Sequence, residues 1–89
     1  MAFVHFTPHL RMHVDVRDGE FTGSTVAEVL QSAFEVMPAA RGYVLDDHGA
    51  VRKHVVIFLN STLIQDRTRQ SDAVNTGDRI DVLQALSGG

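Results

Sequence analysis

The sequence contains no cysteine. That absence excludes a disulfide framework, a cysteine-based zinc site, an iron–sulfur cluster and a thiol nucleophile. Positive charge is also scarce. Eight Lys and Arg stand against eleven Asp and Glu, a formal net charge of −3, the wrong sign for a general binder of phosphate backbones. No apolar run approaches the ~20 residues of a membrane span, and the opening stretch lacks the apolar region of a signal peptide. The expectation is a cytoplasmic protein with no membrane or nucleic-acid partner. There are no internal repeats and no low-complexity segment. At 89 residues the chain is one domain with a single small core and little room for an enclosed active site. Its 44% hydrophobic and 21% charged residues argue against disorder.

What is present is a run of alternating and helical patterns. Ala2 to Thr7 reads as a strand, with Val4 and Phe6 alternating against Phe3 and His5 until Pro8 stops it. Met12, Val14 and Val16 continue a period of two, and Asp18-Gly19 supplies a turn before Glu20-Phe21-Thr22. A second strand, antiparallel to the first, is therefore expected within 12–22. Thr25-Val26-Ala27-Glu28 fits a capping box, and Val26, Val29, Leu30, Ala33, Phe34 and Met37 follow at helical spacing. Pro38 ends that helix at about Val36. Ala39 to Leu45 is expected to add a short helical turn, and Asp46-Asp47-His48-Gly49 a tight turn. His54 to Leu59 is apolar on both faces and reads as a central strand. Asn60-Ser61 turns, Thr62 to Gln65 forms a short strand, Arg67 to Asp72 a polar loop and Asn75 to Asp78 a turn. Arg79 to Gln84 is the last strand. One main helix on one face of a mixed sheet is an α+β roll of the β-grasp kind. The domain spans residues 1–84, and 85–89 form a flexible tail.

Most catalytic constellations fall away. His5, His9 and His13 would line up on a helix as metal ligands, but Pro8 and the period of two argue for exposed strand and loop histidines, so no metal site is expected. Asp46, Asp47 and His48 resemble an acid cluster yet read as a turn. Asn60-Ser61-Thr62 fits a glycosylation pattern and also reads as a turn. Ser24 and Ser87 have no base placed to activate them. The chain is not expected to be an enzyme.

The last two residues, Gly88-Gly89, contribute no packing and maximal backbone freedom. A side-chain-free peptide that follows the last strand can thread a narrow channel where any Cβ would clash. The Gly89 carboxylate is then the one reactive group the chain can present to a partner enzyme.

Four motifs in order carry a resemblance to a family. They are Gly23-Ser24-Thr25-Val26-Ala27-Glu28-Val29-Leu30, Val55-Val56-Ile57-Phe58-Leu59-Asn60, Thr76-Gly77-Asp78-Arg79-Ile80, and Ala85-Leu86-Ser87-Gly88-Gly89. Together they resemble the MoaD/ThiS sulfur carriers, prokaryotic relatives of ubiquitin with a β-grasp fold. Leu86-Ser87 stands where many members carry Val-Ala, and the histidine-rich stretch between the first strands is longer than usual. The resemblance implies that a ubiquitin-activating-type adenylyltransferase adenylates Gly89, with ATP and magnesium held by that partner and no cofactor stably bound by this chain. Leu86, Ser87 and Gly88 would thread into the partner's active site. Sulfur attack then gives a thiocarboxylate, delivered to a sulfur-accepting synthase, with a sulfurtransferase as a further partner. Molybdopterin, thiamine thiazole, cysteine and specialised metabolites are all acceptors served by such carriers.

Alternation places a docking surface. Val55, Ile57 and Leu59 share one face of their strand, and His54, Val56 and Phe58 the other. Leu83 shares the side of Asp81, so Val56, Phe58 and Leu83 are expected to form an exposed apolar patch at the root of the tail. The alternative is that residues 39–45 or a second copy cover it. Two other functions stay open at this level: a ubiquitin-like modifier joined to lysines through Gly89, and a β-grasp interaction module with an idle terminus.

Overall fold

The alternation in Ala2-Phe3-Val4-His5-Phe6 builds the first strand, β1 (Ala2–Phe6), whose burial alternates from residue to residue. A computed structural model describes residues 1–84 of the chain; Leu86, Ser87, Gly88 and Gly89 lie outside the described residues. Helix α1 (Pro8–Arg11) follows, then β2 (Gly19–Phe21), α2 (Val26–Val36), α3 (Pro38–Val44), β3 (Val55–Leu59), β4 (Thr62–Leu63) and β5 (Arg79–Gln84). The described strands form one mixed sheet in the order β2-β1-β5-β3-β4. The last strand, β5, sits at its centre, parallel to β1 and antiparallel to β3. This is the β-grasp roll the sequence predicts.

One side of the sheet supplies the core. Val4, Phe6, Val55, Ile57, Ile80 and Val82 are fully buried, and Val26, Val29, Leu30, Ala33 and Phe34 of α2 meet them in the same cluster. Ala40 and Val44 join it, so α3 lies on the covered side with α2. The patch residues Val56, Phe58 and Leu83 point the other way.

The α2 N-terminus is closed by the chain itself. The Thr25 hydroxyl accepts the Glu28 N–H at 3.1 Å, and the Glu28 carboxylate accepts the Ser24 N–H at 2.8 Å. Val26 and Ala27 donate their N–H groups to the carbonyls of Asp72 and Gln70 in the polar loop. Three of the otherwise unpaired first-turn donors are thereby satisfied.

The second strand lies within 12–22 and antiparallel to the first, as expected. The reading of His5, His9 and His13 as strand and loop residues requires correction, because His9 sits in the helix α1. Residues 12–16 are not part of the second strand, which is the three-residue β2, and Met12 is 81% exposed. The apparent period of two arises because Val14 and Val16 tuck against the core from an irregular segment. Pro8 does not merely end β1. It occupies the first turn of α1, where its missing N–H is harmless and its fixed φ favours the helix.

Candidate functional site

The open face of the sheet is assembled by strand register. Val56 pairs with Leu83, and Phe58 pairs with Asp81 on one side and Leu63 on the other. His5 lies beside Asp81, and Phe3 beside Arg79. Paired residues share a face, so the middle row runs His5, Asp81, Phe58, Leu63. Val56, Phe58 and Leu83, expected from alternation as an exposed patch, are half-buried on this face. Phe58 and Leu83 line a shallow depression of about 430 Å³ together with His5, Thr7, Ser61, Arg79 and Asp81. Apolar Phe58 and Leu83 stand in it beside charged Arg79 and Asp81.

Leu63 extends the patch and was not singled out by alternation alone. It is 52% exposed. The signal was available in the loop: Asn60 and Ser61 both have positive φ, 51° and 70°, as a two-residue hairpin of the primed type requires. Such a loop fixes the register and places Leu63 opposite Phe58.

Charge around the depression is locked in pairs. Arg79 donates from Nε to both Asp81 carboxylate oxygens, at 3.1 and 3.2 Å, and its guanidinium lies 5.5 Å from the centre of the Phe3 ring. The hydrogen bond to Asp81 and that carboxylate's charge raise the Arg79 pKa further. Asp18 accepts the Phe6 N–H at 2.9 Å and lies 2.6 Å from Arg11 Nη2 and 2.7 Å from His5 Nδ1. Burial pushes its carboxyl up, but these donors outweigh it and hold the pKa at about 2.

The remaining candidates resolve as turns and contacts. The Asp46 carboxylate accepts the N–H groups of His48 and Ala50, which lowers its pKa and closes the 46–49 turn. The Asn60 side-chain oxygen accepts the Arg79 N–H at 2.9 Å, fastening the hairpin to β5. Ser24 Oγ donates to Glu28. Of the three histidines, His5 goes to Asp18, while the His9 and His13 rings meet with centres 5.0 Å apart. Among the described residues no three candidate metal ligands collect, and no helix is long and apolar enough to cross a membrane.

The family model described as the ThiS family matches residues 12–89. The chain belongs to the ThiS family. That membership supports a sulfur-carrier role. A search of curated protein sequences gives no significant match. Among solved structures, one chain of the Amycolatopsis orientalis BexX/CysO complex is similar at 19% identity, TM-score 0.83, with 100% of each chain covered. CysO of Mycobacterium tuberculosis is similar at 19% identity and TM-score 0.81, covering 97% of this chain and 100% of that one. Small archaeal modifier protein 1 from Methanosarcina acetivorans is similar at 20% identity and TM-score 0.80, covering 99% and 95%. Identities of this size establish the shared fold.

Proposed function

We propose that this ThiS-family chain carries sulfur on the carboxylate of Gly89. The observation that carries the reading is the extent of the family match, which runs through residue 89 and so takes in the terminal Gly88-Gly89 pair. An ATP-dependent activating enzyme joins the Gly89 carboxylate to AMP and releases pyrophosphate. Sulfide attacks the acyl carbon, AMP leaves, and the terminus becomes a thiocarboxylate. A second enzyme then transfers that sulfur to its acceptor, in cofactor, cysteine or specialised-metabolite synthesis. In this reading the chain is a protein co-substrate, and ATP and magnesium belong to the activating partner.

The fold supports the division of labour. Gln84 closes the central strand, and the stretch from Ala85 to Gly89 follows it in sequence. Phe58, Leu63, Val56 and Leu83 offer the activating enzyme an apolar surface next to that strand end. The decisive experiment is intact mass spectrometry after incubation with the activating enzyme of the same organism, ATP, magnesium and sulfide. A gain of about 16 Da, sulfur for oxygen at the terminus, is expected. Adducts on lysines of other proteins would assign the chain instead to protein modification. An unchanged mass under both conditions would leave it a binding module.

A further inference from the structure

Sulfur carriage leaves unused the histidines that the sequence singles out before α2. We propose that His9 and His13 form a two-histidine site for a borderline divalent cation of the Zn²⁺ class. The proposal stands independently of what happens at Gly89.

Pro8 starts α1, and the helical turn continues past its last residue. The Met12 N–H donates to the Pro8 carbonyl at 3.2 Å, and the His13 and Val14 N–H groups donate to the Leu10 carbonyl at 3.0 and 3.2 Å. His9 and His13 are therefore one turn apart on the same side of the segment. Leu10 is fully buried and anchors this turn to the core, so the backbone beneath both histidines is held. Their ring centres lie 5.0 Å apart with the planes at 72°. A Zn–N bond is about 2.0–2.1 Å, and a ring nitrogen lies about 1.1 Å from its ring centre. Two imidazoles on one tetrahedral ion thus have centres about 5 Å apart. The observed centre-to-centre spacing matches that separation, so rotation of the two rings is what brings a nitrogen of each onto one ion.

The surroundings favour the same chemistry. The His13 ring stacks on Tyr43 of α3, centres 6.0 Å apart and planes at 18°, which restricts its rotation. His13 is exposed and His9 half-buried, so water and ions reach the pair. Two imidazoles without a carboxylate select zinc, nickel or copper over magnesium or calcium. His5 is not gathered with this pair: among the described residues no third candidate ligand joins a metal-sized cluster, and the His5 Nδ1 is held by Asp18. With two protein ligands, a tetrahedral ion keeps two positions for water or an outside donor.

The test uses the full chain without a histidine tag. Calorimetric titration with ZnCl₂ measures affinity and stoichiometry. Titration with CuCl₂ or NiCl₂ is followed by Tyr43 emission, because the sequence has one tyrosine and no tryptophan. One cation per chain and saturable quenching are expected. Loss of an outer-shell partner alone weakens metal binding about 10–100-fold, so His9→Gln and His13→Gln should each weaken it at least tenfold, with unchanged circular dichroism. His48→Gln, in the 46–49 turn and outside the pair, should retain full affinity. Absence of saturable uptake, parental affinity in either His9→Gln or His13→Gln, or equal loss in His48→Gln overturns the proposal.

Discussion

His5 Nδ1 and Asp18 Oδ2 lie 2.7 Å apart, and the other Asp18 oxygen takes the Phe6 N–H and Arg11. One carboxylate thus ties β1, α1 and the segment entering β2 together. Its pKa is held at about 2, against 3.8 as the ordinary value. A depressed pKa means stability that is present above about pH 4 and lost as pH falls toward 2. Asp18→Asn should lower stability at pH 7 by about 1–2 kcal/mol, discounted for partial exposure. Its acid limb should be flatter than the parent's between pH 4 and 2, as measured by urea unfolding across pH. Parallel limbs would show that the carboxylate charge contributes nothing.

Two glycines should respond in opposite directions. A Cβ at Gly23 would lie 2.5 Å from the Val29 nitrogen and 2.8 Å from the Glu28 carbonyl carbon, both backbone atoms of α2 that cannot yield. Gly23→Ala should destabilise by about 1–3 kcal/mol, as overpacking does. Gly42 lies inside α3 with nothing within 4 Å of its added Cβ. Gly42→Ala should stabilise by roughly 0.5–1 kcal/mol through helix propensity. Thermal melts of the two variants check the contrast.

The apolar face should matter for a partner more than for folding. Phe58 and Leu83 are half-buried and line the open depression, not the core. Phe58→Ala and Leu83→Ala should raise the KM for the activating enzyme on the order of 30-fold, as loss of an anchor worth ~2 kcal/mol does. Ile57→Ala, on the covered face, should lower the melting temperature instead. Steady-state adenylation kinetics alongside melts separate the two effects.

Removing Gly89 should separate chemistry from architecture. Among the described residues the buried core is built from positions 2 to 82. Deletion of Gly89 is expected to change stability by less than about 0.5 kcal/mol while abolishing pyrophosphate release with the activating enzyme. Substantial unfolding on deletion would give the terminal residues a structural role.

Much of this fold is legible because its local signals agree. The Thr25 cap, the apolar stripe from Val26 to Phe34 and the stop at Pro38 all mark the same helix, and α2 spans Val26–Val36. The strands from Val55 and Arg79 follow from alternation between turn residues. The N-terminal region is harder to read because its order comes from distance. Asp18 reaches back 12 and 13 residues to Phe6 and His5, a contact no local pattern announces. The short β2 contains a glycine and has little propensity of its own; pairing with β1 creates it. Pro8 is ambiguous by chemistry, since a proline that ends a strand also suits the first turn of a helix. Alternation puts Val56, Phe58 and Leu83 on one face, whereas the place of His5 and Arg79 beside them emerges only once β1 and β5 are known to be parallel neighbours.

That neighbouring has a consequence for synthesis on the ribosome. The middle strand of the sheet is the last to be made: β5 separates β1 from β3, and neither edge half is joined to the other without it. A nascent chain halted before Arg79 holds two unconnected sheet fragments around an incomplete core. The sheet can zip only after residues 79–84 have cleared the exit tunnel. Any product truncated before β5 therefore presents open strand edges to chaperones and proteases instead of a finished surface.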